Sequence, residues 1–348
     1  MGSYPIHEGR LPLFLITLSS SQVLFFFTLL LGTVLAASSS SWFGAWVGLE
    51  LNLLSFIPLI STKNNQYSSE AALKYFLIQA LGSSIIILAA SFTLTVINPA
   101  KPLMIIALLL KSGAAPFHFW FPRVIEGLQW PSAIVLITIQ KIAPMSLLSY
   151  LVAENIYPVF WAAIILSALV GAVGGLNQTL LRKIIAYSSI NHIAWILSAI
   201  LIRETSWLVY FAFYSLVSTS VALLFFHQEA FHISHIVNHT GHLSHLKLLT
   251  FISLLSLGGL PPFTGFIPKW IIIQEVIMRR NFITLVALLS SALVTLFYYL
   301  RISLVAITIS RPQAKWGTKK VPQSNLTPFL VSLNILGLLI PSGLMLAA

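Results

Sequence analysis

Cysteine is absent from all 348 residues, and so is aspartate. Without thiols the chain cannot build a disulfide, a thiolate metal site or an iron–sulfur cluster, so any electron transfer it serves runs through other chains. Charge is scarce as well: 8% of residues are Asp, Glu, Lys or Arg, against about 25% in a soluble domain. A chain so poor in charge cannot coat a water-facing surface, which excludes an ordinary soluble globular protein. Disorder, which needs low hydrophobicity and high net charge, is excluded by 57% hydrophobic residues. A GxxxxGK phosphate loop and a GxGxxG nucleotide fingerprint are both missing.

What is present is grease in blocks, with a mean hydropathy of +0.92. The 19 Lys and Arg outnumber the eight Glu, for a formal charge of +11. The basic residues are scattered singly or in pairs between apolar runs, a pattern suited to anionic lipid headgroups and not to a phosphate backbone, so nucleic acid is not expected as a partner. The first twelve residues, with one Arg and Glu8, resemble neither an Arg-rich transit peptide nor a signal n-region.

A spanning helix needs about 20 mostly apolar residues. Eleven such segments are predicted, at 13–37, 42–60, 72–97, 103–122, 132–152, 158–177, 183–202, 207–227, 247–276, 283–307 and 327–346. The fold class is therefore an all-α polytopic membrane protein, one membrane domain over 1–348. An odd number of spans puts the termini on opposite sides. Loop residues Arg10, Lys63, Arg123, Arg182, Lys183, Lys247, Arg311, Lys315, Lys319 and Lys320 lie on the N-terminal side, against Lys101, Arg203, Arg279 and Arg280 on the other. The positive-inside rule then places the N-terminus inside.

Two spans are predicted to be broken. The fourth carries Lys111-Ser112-Gly113-Ala114-Ala115-Pro116 near its middle. The ninth would be about 45 Å long as one helix and contains Gly258-Gly259-Leu260-Pro261-Pro262. Irregular backbone at membrane depth is tolerated only where protein or a water-filled cavity satisfies its polar groups. If the first ten helices form two blocks of five, 13–152 and 158–307, each block is broken at the same place. Five being odd, the second block is inverted relative to the first, with 327–346 as a flanking helix. Paired interrupted helices in inverted repeats point to a transport site near the midplane.

Charges lie where they are expensive. A charge at a helix centre costs about 2.5–3.5 kcal/mol on insertion scales, yet Glu50 falls within the second span, Lys111 in the fourth, Lys141 in the fifth and Lys269 just past the break of the ninth. His192 lies in the middle of the seventh, and His118 follows Pro116. An ammonium in low dielectric holds its proton less firmly, and a neighbouring carboxylate tightens that hold. A row of such groups is a candidate proton path. The bland alternatives are a buried pair that only fixes packing, or lysines that snorkel to an interface; Lys111 and Lys141 are each about ten residues from a span end, too deep for that.

Six histidines, His227, His232, His235, His239, His242 and His245, crowd one loop. Their spacing is compatible with metal ligation on a helical face, but with Glu229 the sole carboxylate nearby and no Cys, a His-rich polar loop is the preferred reading, and no metal site is expected. Trp42, Tyr67, Trp130, Tyr157, Trp207 and Trp316 fall near span ends, where aromatic belts form.

Several motifs are specific. Trp42-Phe43-Gly44-Ala45-Trp46-Val47-Gly48-Leu49-Glu50-Leu51-Asn52, Glu70-Ala71-Ala72-Leu73-Lys74-Tyr75-Phe76 and Leu110-Lys111-Ser112-Gly113-Ala114-Ala115-Pro116-Phe117-His118-Phe119-Trp120 closely resemble the chain 2 family of mitochondrial NADH-ubiquinone oxidoreductases. Gln140-Lys141-Ile142-Ala143-Pro144, Ala186-Tyr187-Ser188-Ser189-Ile190-Asn191-His192 and Gly258-Gly259-Leu260-Pro261-Pro262-Phe263-Thr264-Gly265-Phe266 continue the match in order, in what looks like an arthropod version. The resemblance implies a core membrane-arm subunit of respiratory complex I, related to cation/proton antiporters, in the mitochondrial inner membrane with its N-terminus in the matrix. It implies that Glu50, Lys111, Lys141 and Lys269 lie on the proton path with His192 as a connector. It also implies that NADH, FMN, iron–sulfur clusters and ubiquinone are handled by partner subunits, this chain binding no cofactor. Other membrane-arm subunits and membrane lipids, cardiolipin included, are the expected partners. A stand-alone cation/proton antiporter and a purely structural membrane-arm subunit are the rival readings.

Overall fold

A computed structural model describes residues 19–61, 65–94, 100–152, 157–203, 205–239 and 244–308. The predicted helix at 327–346, the stretch Met1 to Pro12 and His242 lie outside the described residues. Within them the chain is helical, with one isolated bridge between Leu180 and His232.

Five elements cross without a break before the sequence midpoint or just after it: α1 (Ser20–Ser38), α2 (Trp42–Ile60), α3 (Gln66–Leu94), then, further on, α8 (Tyr157–Gly175) and α9 (Leu181–Ile202). So do α10 (Ser206–His227) and α14 (Phe282–Thr308). Their starts are coded locally. Ser19 and Gln22 form a reciprocal capping box at α1, and the Ser41 side chain accepts from the Gly44 N–H at α2. Glycine sets how closely the neighbours approach. A Cβ at Gly48 would lie 2.4 Å from the Ala36 backbone nitrogen, and one at Gly171 would lie 2.5 Å from that of Asn191. Backbones this near are how helices associate in lipid, where no hydrophobic force drives them together.

The remaining spans are interrupted. The fourth divides into α4 (Ala100–Ser112) and α5 (Trp120–Gly127), the ninth into α12 (Ser244–Gly258) and α13 (Phe266–Met278), as predicted. Both first halves stop in the same way. Gly113 and Gly259 take φ of 76° and 77°, the left-handed region that glycine enters without a Cβ clash. At each, the glycine N–H and the next N–H fold back to carbonyls of the last turn: Gly113 to Leu110 and Ala114 to Leu109, Gly259 to Ser256 and Leu260 to Leu255. This is a Schellman cap, and it satisfies carbonyls of the last turn.

The fifth span differs from expectation. Predicted as one helix, it is α6 (Trp130–Ile137) and α7 (Ile139–Tyr150), parted at Thr138, whose φ and ψ of −107° and −80° leave the helical region. Pro144 adds to the distortion, because it has no N–H to donate to the Gln140 carbonyl one turn back. The His-rich stretch also departs from a plain loop, since it holds a short helix, α11 (Ile233–His239). The tightest core runs along α9, buried on almost every side at the centre of the bundle.

Candidate functional site

Every lysine singled out from the sequence lies within about one turn of a helix interruption. Lys111 occupies the last turn of α4 before Gly113, Lys141 follows Thr138, and Lys269 is in the first turn of α13. All three are buried, with residue exposures of 5%, 2% and 7%, so none of them snorkels. For Lys111 and Lys269 the siting has a physical cause: a first half-helix that ends inside the protein presents carbonyls with no intrahelical partner, a partial negative charge that favours a cation, and their side chains lie at the ends of α4 and α12. Lys141, in the first turn of α7, is held instead by the Tyr214 hydroxyl.

Lys111 has its space made by Gly82 on α3, where a Cβ would come within 2.9 Å of the lysine Cγ. The carbonyls beside the break are held by other side chains: Trp120 Nε1 donates to Leu110 at 3.0 Å and Gln79 Nε2 to Lys111 at 3.2 Å. The ammonium is thereby left over for the cavity it faces. That cavity is small, about 20 Å³, with room for about one water molecule, and is lined by Lys111 and Lys141 together with Asn52, Tyr75, Gln79 and Gln140. Its polar wall is already ordered: Tyr75 donates to Gln140 at 2.9 Å, and Gln140 donates to Asn52 at 2.7 Å.

On the far side of Lys141 the polar row continues. Its ammonium is 3.4 Å from the Tyr214 hydroxyl and lies over the Phe121 and Tyr214 rings, 4.9 and 5.3 Å from their centroids. The His192 ring is 4.8 Å from that of Tyr214, and its Nδ1 is 2.9 Å from the Tyr210 hydroxyl. His192, Tyr210 and Tyr214 line a second, smaller cavity of about 10 Å³ with Ser256, Gly265 and Pro268 of the second break. Beyond it, Lys269 donates to the Gly258 carbonyl at 2.8 Å and lies 5.8 Å above the Trp195 ring. The charges of Lys141 and Lys269 both act on His192.

Glu50 is placed differently from a simple partner of Lys111. It is half-buried on α2, its charge reaching Lys111 and Tyr75. Among the described residues the ion pairs are Lys74–Glu70, Lys183–Glu126 and Arg203–Glu275, and Glu50 with Lys111 is not one of them. His118 lines neither cavity. In the His-rich stretch the His232 and His235 rings are 5.7 Å apart, and no cluster of three metal-ligating side chains occurs among the described residues.

Sequence reasoning passed over Asn52, Tyr75, Gln140, Tyr210 and Tyr214. Asn52, Tyr75 and Gln140 stood inside the specific motifs, and polar side chains within spans are signal enough; which of them meet is not readable without the fold.

A helical bundle with paired broken helices and buried lysines beside the breaks defines an antiporter-like membrane subunit. Residues 39–100 and 95–295 match the NADH:quinone oxidoreductase/Mrp antiporter transmembrane family. NADH-ubiquinone oxidoreductase chain 2 of Anopheles gambiae is 44% identical over 308 residues, covering 86% of this chain and 89% of its own. That of Aedes aegypti is 45% identical, covering 92% and 96%. A chain of respiratory complex I from Thermus thermophilus superposes with a TM-score of 0.80 at 27% identity, over 95% of this chain and 80% of that one. The chain belongs to the NADH-ubiquinone oxidoreductase chain 2 family.

Proposed function

We propose that the chain is a redox-inactive, proton-translocating core subunit of the complex I membrane arm, coupling NADH oxidation and ubiquinone reduction in partner chains to proton pumping. The observation that carries this reading is the run of buried ionisable and hydroxyl side chains from Lys111 through Lys141, Tyr214 and His192 to Lys269. Dry packing does not need such a run, and each member costs desolvation free energy. Glu50 lies at one end, near enough to bias Lys111 without neutralising it through a fixed ion pair. Two like charges in a low-dielectric interior repel strongly, so a proton arriving at one end favours release at the other. Tyr214 is the side chain that bridges Lys141 to His192, and the cavities beside it are the places where water completes the relay.

The inverted arrangement of two five-helix blocks, 13–152 and 158–307, is part of the same reading. It is supported by the identical caps at Gly113 and Gly259 and by the glycine-mediated pairing of α1 with α2 and α8 with α9. The charge count in the loops favours a matrix-side N-terminus in the mitochondrial inner membrane. NADH, FMN, iron–sulfur clusters and ubiquinone belong to partner chains; a sequence without Cys offers no thiolate for a cluster. Anionic lipids, cardiolipin among them, are partners of its surface.

The test is Lys111→Ala in the assembled complex, reconstituted in vesicles. Protons moved per electron pair are expected to fall while the complex still assembles. Unchanged stoichiometry would reject the proton path and favour a structural brace. Cation-driven proton exchange by the purified chain alone would favour an independent antiporter.

A further inference from the structure

Away from the lysine row, a groove of about 350 Å³ opens where the start of α8, the end of α9, the end of α13 and the start of α14 meet. It is cationic at one end and apolar along its walls. We propose that it binds an anionic glycerophospholipid, Arg279 and Arg280 holding the phosphate while Trp161, Leu201 and Ile202 receive the acyl chain. The inference deepens the membrane placement proposed above, on which it rests only for the leaflet that supplies the lipid.

Charge is the first argument. The side of the membrane opposite the N-terminus carries Lys101, Arg203, Arg279 and Arg280 in its loops, and the last two line this groove. Arg203 pairs with Glu275, N to O, at 3.9 Å. Arg279 and Arg280 have no carboxylate partner among the described residues. Arg279 is oriented rather than neutralised: its guanidinium donates to the carbonyls of Leu201, at 3.0 Å, and Ile202, which close α9. A guanidinium has five N–H donors, so some remain for an anion.

Backbone is the second. Arg280 has φ of 56° and caps α13, with Arg280 N–H donating to Ile277 and Asn281 N–H to Val276. Glycine takes this left-handed position most cheaply; a side chain there costs about 1–2 kcal/mol. An arginine at that position brings a second cation to the mouth of the groove. Asn281 and Thr284, at the positive N-terminal end of the 27-residue α14, line the same end.

The walls decide between a free ion and a lipid. An inorganic phosphate would use the arginines alone. Leu201 and Ile202 continue the groove as an apolar trough floored by the buried Ile164 and Val276, and Tyr157 stacks on Trp161 with centroids 6.2 Å apart at its edge. An aromatic pair beside a cationic patch is the side-chain signature of the headgroup level.

The experiment compares wild type, Arg280→Gln and the Arg279→Gln/Arg280→Gln pair in the intact complex, washed in mild detergent. The Arg280 side chain makes no hydrogen bond or ion pair to a described residue, and Arg279 holds the α9 carbonyls, so the single variant keeps the α9 cap. Native mass spectrometry is expected to show one tightly held anionic phospholipid fewer in both variants. Delipidated wild type is expected to regain its melting temperature in phosphatidylcholine vesicles containing phosphatidylglycerol, and not with phosphatidylcholine alone or with inorganic phosphate. Equal lipid retention in all three proteins, recovery with inorganic phosphate alone, or a neighbouring subunit's helix filling the groove in a map of the assembly would each overturn the proposal. Proton stoichiometry is expected to be unchanged in Arg280→Gln, and Lys111→Ala is expected to keep the lipid, so the failure of one reading is visible without the other.

Discussion

The two broken helices end their first halves with the same cap and use their lysines in opposite ways. At the first break the freed carbonyls are taken by Trp120 and Gln79, and the Lys111 ammonium is left facing the cavity it shares with Lys141. At the second, Lys269 itself takes the Gly258 carbonyl, from beyond the break. Lys111 lies beside a carboxylate that acts at a distance, whereas Lys269 is held against backbone and an aromatic face. One break therefore frees its cation and the other tethers it. The same local motif, used twice, supports a mobile charge at one end of the row and a fixed one at the other.

The largest effect that would separate them comes from packing. A Cβ at Gly265 would lie 1.8 Å from the Ser256 carbonyl oxygen, with backbone on both sides and no room to yield. Gly265→Ala is expected to abolish assembly, read on a native gel. At the first break a Cβ on Gly113 would meet only Phe121 at 3.3 Å, so Gly113→Ala should cost about 1–2 kcal/mol for its left-handed backbone and still assemble.

Next come the lysines. Lys269→Ala and Lys111→Ala should both lower protons pumped per electron pair, but only the first strands a buried carbonyl. That loss costs about 1–3 kcal/mol, so the melting temperature should fall further for Lys269→Ala. Lys269→Gln should recover part of the stability, an amide still being a donor, and none of the pumping; equal melting temperatures for both alanine variants would end the contrast.

A smaller change in pumping is expected at Gln140→Leu, which leaves Tyr75 and Asn52 without their shared partner. Pumping should slow at unchanged assembly, with a stability loss of the same order as for Lys269→Ala, about 1–3 kcal/mol. The mildest is Gly82→Ala: its Cβ meets the flexible stem of Lys111, so the ammonium shifts, and pumping should fall by less than in Lys111→Ala. No change at all would mean that the stem position is immaterial.

Much of this was legible in the chain. The unbroken spans match their predicted ranges to within a few residues except at the first and third, and both predicted breaks occur, because apolar run length and Gly-Pro content are local properties. The interruption at Thr138 was not legible: a β-branched residue in an apolar run carries no breaker signal, and Pro144 lies too near the centre of the span to mark an end. Nor was the absence of an ion pair between Glu50 and Lys111, since charges assigned to the second and fourth spans say nothing about the distance between them.

What the sequence determined alone is the kind of solvent it folds in, the placing of the breaks and the identity of the buried cations, all of which follow from hydropathy and from backbone chemistry over a few residues. Only the tertiary structure decided that Tyr214 and His192 stand between Lys141 and Lys269, that Gln140 joins Asn52 to Tyr75, and that the arginines after α13 meet the apolar wall of α8. Those meetings join residues 18 to 88 positions apart where a hydrogen bond records them. Helix packing brings such residues together, and a pattern read along one helix at a time cannot contain it.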